Sequence, residues 1–183
     1  MKVEIIDNFL EPEKFKNLQN TILDTGFPWF LYEGATESNT TQKGHSGHSF
    51  DIQSHNHSLK QREYMLRSFW HLFYHDHEAN SPFFKELLDI IDKLDVKGLV
   101  RSKANLYPRT NEVIEHEFHY DYEYPHKSGL YSLNTNNGFT IMEDGKKIQS
   151  VANRMVLFDA SKLHKSTTCS DENYRVNLVF NYF

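Results

Sequence analysis

Val113-Ile-Glu-His-Glu-Phe-His-Tyr-Asp-Tyr-Glu-Tyr124 is the stretch that decides how this chain reads. Taken as an extended strand, it alternates its side chains between two faces, which puts His119 and Asp121 on the same side. His119-Tyr120-Asp121 is the only H-x-D in the sequence. An imidazole and a carboxylate so placed can take adjacent positions on a metal ion. A third ligand, another His, would complete a two-His-one-carboxylate set that leaves the opposite side of the ion open. Tyr120, Tyr122 and Tyr124 then alternate away from the metal as packing residues, and Glu123 falls on the metal side at the rim. Without a third ligand, the same pattern describes a half-buried strand with a surface His and Asp.

Around that stretch the chain from Lys97 to the end reads as short strands and turns. The strands predicted are Leu99–Tyr107, Val113–Tyr124, Leu130–Leu133, Phe139–Glu143, Lys147–Val151, Met155–Phe158, Lys165–Thr168 and Tyr174–Phe183. Pro108-Arg-Thr-Asn, Pro125-His-Lys-Ser-Gly and Asn134-Thr-Asn-Asn-Gly break them, and Asp144-Gly145 signals a tight hairpin. The first half is different. Pro12–Leu23 has helical spacing, Ser58–His77 opens on a capping-box pattern, and Ser81-Pro82 starts a helix running to Leu94. The expected fold class is α+β, mainly β: a double-stranded β-helix (jelly-roll or cupin-like) core over 97–183, with the N-terminal helices of 1–96 packed on one sheet. One domain spanning 1–183 is the expectation.

His164, which follows the buried strand Met155–Phe158 and the turn Asp159-Ala-Ser-Lys-Leu, is the candidate third ligand. Arg175 opens the last strand. Alternation places Arg175, Asn177, Val179 and Asn181 on one face. An Arg facing a metal site is costly to bury without an anion, and a small dicarboxylic acid would match its planar donors. Glu33 to Ser58 is rich in Gly, Ser, Thr and Asn, contains His45, His48, His55 and His57, and is too long for an idle connector. It reads as a loop bordering the active-site mouth, or as a solvated insertion.

Composition narrows the partners. The 183 residues carry a net charge of −5, with a mean hydropathy of −0.66 and a single cysteine, Cys169. No apolar run reaches membrane-spanning length, and the start lacks the pattern of a secretory signal. With one cysteine and no signal, a cytoplasmic location is expected. The acidic balance makes nucleic acid an unlikely partner.

His119-x-Asp121, His164 and Arg175, in that order, resemble the Fe(II)- and 2-oxoglutarate-dependent dioxygenases, the prolyl 4-hydroxylase-like branch in arrangement. The resemblance runs from about Val100 to the C-terminus. It implies His119, Asp121 and His164 as metal ligands and Arg175 as the partner of the 2-oxoglutarate 5-carboxylate, with Arg101 or Arg154 the next candidates for that clamp. Tyr107 resembles the family tyrosine that reaches the cosubstrate. Asn105, with Arg175-x-Asn177, is similar to the alkylation-repair dioxygenases, but the short His164–Arg175 interval and the missing second downstream Arg depart from them. A further departure is Ala152-Asn153-Arg154, where prolyl-hydroxylase-like chains usually carry a Gly. The resemblance implies Fe(II), 2-oxoglutarate and O2 as cofactor and cosubstrates, and allows ascorbate. It also implies hydroxylation of a peptide side chain or a small molecule, with release of succinate and CO2. Alternatives are a cupin-like isomerase or binding module without 2-oxoglutarate, a nucleobase demethylase, and an interaction protein with a degenerate site.

Overall fold

The computed structural model describes residues 2–32 and 68–183. The expected loop from Glu33 to Ser58, and the first part of the expected helix after it, lie outside them. In chain order the elements are β1 (Glu4–Ile6), α1 (Pro12–Ile22), β2 (Phe30–Tyr32), β3 (Ser68–His75), β4 (Glu78–Ala79), a 3-10 helix (Pro82–Leu87), α2 (Leu88–Lys93), β5 (Leu99–Pro108), β6 (Lys127–Ser132), β7 (Phe139–Met142), β8 (Lys147–Gln149), β9 (Arg154–Asp159), β10 (His164–Lys165) and β11 (Tyr174–Tyr182). No described helix is long and apolar enough to cross a membrane.

Two antiparallel sheets form the roll. The larger has the order β1-β9-β6-β11-β5-β3-β2, with β4 paired to β3, and the smaller has the order β10-β7-β8. Residues 115 and 119 make isolated antiparallel bridges to Thr167 and His164, which adds their segment to the smaller sheet beside β10. Apart from the β2–β3, β3–β4 and β7–β8 pairs, neighbours within each sheet are strands that do not follow one another in sequence, as a double-stranded β-helix requires. One face of the larger sheet is apolar: Ala104, Tyr131, Met155, Val176, Leu178, Phe180 and Tyr182 pack in one cluster with Leu18 and Ile22 of α1 and Ile90 of α2. Its other face looks into the roll. Strand register puts Arg101, Lys103, Asn105 and Tyr107 of β5 there, beside Asn181, Val179, Asn177 and Arg175 of β11.

Three expectations about elements are corrected. Ser58–His77 is not a helix in its described part, because Ser68–His75 is a strand paired with β5 and β2. Its two faces are both covered, so the apolar residues fall on both and give no period of two. Asp76 and His77, at φ 53 and 65, turn the chain into β4 in the left-handed conformation that two-residue hairpins need. Val113–Tyr124 is not a continuous strand. The two bridges leave three residues between them on one side against two on the other, and the extra residue interrupts the pairing. The last correction is that β6 begins at Lys127, inside the expected turn. Gly129 belongs to the strand because a Cβ there would meet Met155 at 3.1 Å and Leu94 at 3.3 Å.

Asn153 explains the departure at 152–154. It sits at φ 61, the left-handed region that favours glycine. Its side chain accepts from the Leu10 amide at 2.8 Å and from the Tyr131 hydroxyl at 2.6 Å, and donates to the Leu10 carbonyl at 2.8 Å. An asparagine here ties the N-terminal segment to the roll, which a glycine could not do.

Candidate active site

His119 and His164 are cross-strand neighbours at the edge of the smaller sheet. Each backbone amide donates to the other's carbonyl at 2.9 Å, and the rings lie 4.5 Å apart. Two residues on, the Asp121 amide donates to the Ala160 carbonyl at 3.0 Å, which pins the carboxylate beside the imidazoles. Ligand atoms of His119, Asp121 and His164 all lie within 4.8 Å of one another. Convergence is thus set by these backbone bonds and not by the strand alternation expected from sequence.

The donor set is oriented for a metal. His164 Nδ1 donates to the Lys162 carbonyl at 3.0 Å, and His119 Nδ1 lies 3.4 Å from the Glu117 carbonyl. Those partners leave Nε2 as the free ligand atom of each ring. Asp121 accepts from Arg101 Nη2 at 2.9 Å through Oδ1 and from Asn181 Nδ2 at 2.8 Å through Oδ2. Asn181 Nδ2 also lies 3.2 Å from His126 Nε2, whose ring donates from Nδ1 to the Tyr124 carbonyl at 2.9 Å. Each carboxylate oxygen keeps a lone pair for a cation.

Electrostatics agree with ligand chemistry. Burial, with His164 alongside, brings the His119 pKa down to about 4, so its imidazole is neutral. Burial pushes the Asp121 carboxyl upward, but Arg101, His164, His119 and Lys103 outweigh it and hold the group well below the usual carboxylate range. Two neutral-capable imidazoles and one firmly ionised carboxylate fit a divalent transition metal, and three ligands leave its other positions open.

Arg175 lies at the far end of the same face and is 1% exposed. It crosses from the larger sheet to the smaller one. Nε donates to Ser150 Oγ at 2.7 Å, Nη2 to Thr140 Oγ1 at 3.0 Å, and Nη1 to the Thr167 carbonyl at 3.0 Å and to Ser166 Oγ. All these partners are neutral. Burial lowers its pKa to about 10, so it remains charged at neutral pH. The guanidinium carbon lies 5.8 Å from the Tyr107 ring, and the Tyr107 hydroxyl bonds to Ser166. Four of five guanidinium N–H groups are used, and one on Nη2 is left for an anion.

Asn105, Tyr107, Asn177 and Arg175 lie on the inner face, His119 and Asp121 on the adjoining segment, and His164 on β10. Asn105 Nδ2 donates to Asn177 Oδ1 at 3.1 Å, midway between the Arg175 end and Asp121. Two alternatives for the clamp are corrected. Arg101 is paired with Asp121, and Arg154 is paired at the surface with Asp7, Nη2 to Oδ2 at 3.0 Å. Tyr122 does not point away from the site. It is buried, and the Arg101 guanidinium lies 5.1 Å from its ring. Tyr120 donates to Glu123 at 3.0 Å at an exposed position. Sequence reasoning gave no role to Asn181, Lys103 or Gly138, although alternation from Arg175 and Asn105 reaches the first two.

Neither a family model nor a curated protein sequence matches this chain. Solved structures do. A prolyl hydroxylase from Trichoplax adhaerens, in complex with a hypoxia inducible factor peptide fragment, aligns over 99% of this chain and 83% of its own, at 15% identity and a TM-score of 0.62. A Pseudomonas putida prolyl-4-hydroxylase aligns over 98% and 91%, at 14% identity and 0.57. A viral collagen prolyl hydroxylase from Paramecium Bursaria Chlorella virus-1, in complex with 2-oxoglutarate, aligns over 99% and 95%, at 12% identity and 0.55. At these identities the likeness is one of fold: the chain has the double-stranded β-helix of 2-oxoglutarate–Fe(II) oxygenases and prolyl hydroxylases.

Proposed function

We propose that this chain is an Fe(II)- and 2-oxoglutarate-dependent dioxygenase that hydroxylates a C–H bond of a peptide side chain or a small molecule. The observation that carries the reading is a buried Arg with a spare donor on the inner face of the larger sheet together with a His-Asp-His cluster whose ligand atoms lie within 4.8 Å of one another. His119, Asp121 and His164 would hold the iron. When bound there with 2-oxoglutarate and O2, it supplies oxidation of an unactivated C–H bond coupled to loss of CO2 and formation of succinate.

The chain's own contributions are positional. Arg175 offers its remaining Nη2 N–H to a carboxylate, and the Tyr107 hydroxyl lies in the same cluster through Ser166. The Asn105–Asn177 pair spans the distance between that end and the ligands. Asn181 and Arg101 hold Asp121 in one orientation, so the ligand set is formed before metal arrives. A peptide substrate is supported by the likeness to the Trichoplax enzyme, and only at the level of fold.

The test is anaerobic. Adding 2-oxoglutarate to the Fe(II)-loaded protein is expected to raise a weak visible charge-transfer band, and O2 then to yield succinate. Asp121→Ala should give neither. A band of full strength in Asp121→Ala, or none in the wild type, rejects the assignment.

A further inference from the structure

One residue of the inner face makes no direct contact in the site described so far. Lys103 lies on β5 between Asn105, toward the Arg175 end, and Arg101, which holds Asp121. Strand register sets it beside Val179 of β11 and Leu72 of β3, and Val179 in turn pairs with Leu130 of β6. Its neighbours across the sheet are therefore apolar. Among the described residues its ammonium makes no hydrogen bond and no ion pair within 4 Å. Among the described residues, the charges that act on it are Arg101 and Asp121. Asp121 makes no ion pair with it within 4 Å and accepts instead from Arg101 and Asn181.

An ammonium carries three donors, and leaving them half-buried without an acceptor is costly. None of the described residues supplies its acceptor. Charge balance gives the sign. Arg101, Lys103 and Arg175 carry three positive charges on this face against one negative on Asp121. A divalent metal and doubly ionised 2-oxoglutarate cancel each other, so two positive charges stay uncompensated. Trp70 of β3 shares the face opposite Asn105, which adds an apolar wall beside the cations.

We infer that Lys103, backed by Arg101, receives a carboxylate of the substrate beside the metal ligands, so that the substrate is a carboxylic acid with an apolar body. The inference rests on the oxygenase reading and narrows it. One planar carboxylate can accept from Lys103 and from the N–H groups of Arg101 not engaged by Asp121 and Asn181.

The experiment compares acids with their neutral amides on the Fe(II)- and 2-oxoglutarate-loaded protein without O2, by calorimetry. The probes are 3-methylbutanoate with 3-methylbutanamide, and phenylacetate with phenylacetamide. Each acid should bind about tenfold or more tighter than its amide. Lys103→Met should erase that preference, and Lys103→Arg should retain it. L-leucine, glycyl-L-leucine and an amidated peptide with an internal glutamate then tell a free amino acid from a chain terminus or a side chain. Equal binding of acid and amide, or no binding of either, overturns the inference, as does tighter binding of isobutyl phosphate. A matching fall of 2-oxoglutarate affinity in Lys103→Met also overturns it, since that would give Lys103 to the cosubstrate. Failure of the wild type to bind 2-oxoglutarate rejects the oxygenase reading instead. The acid–amide comparison on protein carrying metal alone still decides the role of Lys103.

Discussion

Arg175 is the largest fully buried side chain among the described residues, and it can run where it does because residue 138 is a glycine. A Cβ there would stand 2.7 Å from Arg175 Cδ, 2.6 Å from the Thr168 carbonyl and 2.8 Å from Asn136 Oδ1. The nearest of the three is a backbone carbonyl, which cannot swing aside. Gly138→Ala should therefore displace the guanidinium and weaken 2-oxoglutarate binding about tenfold or more while Fe(II) still binds, an effect of the usual size for overpacking. Arg175→Met should do the same by removing the charge, at about 2–5 kcal/mol for a buried charged partner. Titrating each variant with 2-oxoglutarate under anaerobic conditions measures both. Wild-type affinity in either variant would put the clamp elsewhere. Arg175 itself was legible from order and alternation. Gly138 was not, because nothing in Asn134-Thr-Asn-Asn-Gly distinguishes a turn glycine from one that a side chain passes at van der Waals distance. Asn181 was legible as a position on the inner face but not as the orienting partner of Asp121, since alternation reports a face and not a contact.

At the level of elements, β3 shows how a strand can pass for a helix. Trp70 and Leu72 face the roll while His71 packs with Phe27, Phe73 and Phe83 among aromatic rings. With both faces apolar, spacing alone could not choose between helix and strand. The later strands of the roll were legible because polar turns punctuate them and their two faces differ. His71 also locks three elements together. Its Nδ1 donates to the Pro28 carbonyl at 2.7 Å and its Nε2 accepts from Ser81 Oγ at 2.7 Å, while Ser81 caps the 3-10 helix by accepting from the Phe83 amide. Burial lowers the His71 pKa, the Pro28 bond opposing it only in part. The unfolded chain thus binds this proton more readily than the folded one. The contribution to stability is complete above the unfolded value, about 6.5, and is lost as pH falls below it. Melting temperature should drop between pH 7.5 and 5.5, and drop less in His71→Gln, whose amide can keep both bonds without titrating. Parallel pH profiles for the two proteins would remove His71 as a source of the acid sensitivity.

On the scale of the whole molecule, the candidate ligands are held from both sheets. His164 is in β10 of the smaller sheet and His119 is bridged to it, whereas Asp121 is held by Arg101 of β5 and Asn181 of β11 in the larger one. A metal bound by all three would couple the two layers at one edge, much as Arg175 couples them through Thr140 and Ser150 at the other. The unfolded chain has no such preformed set, so ligation must add to folding stability by mass action. At a free metal concentration about a hundred times the dissociation constant the gain is about 2.7 kcal/mol. For a chain of this size that corresponds to a rise in melting temperature of roughly 5–10 °C. Scanning calorimetry with Fe(II) kept reduced, or with Mn(II) as a redox-stable substitute, should show the rise, and a chelator should reverse it. Asp121→Ala and His164→Ala should each abolish most of it, because removing either ligand breaks the link between the layers. A rise of equal size in those variants would place the bound metal on other groups, and no rise in the wild type would mean that the cluster holds no metal. Lys103 and Arg101 make the sign of a second effect definite. Each repels an incoming cation, so Lys103→Met should bind metal more tightly than wild type in the absence of 2-oxoglutarate, and its metal-induced rise at a fixed metal concentration should be larger.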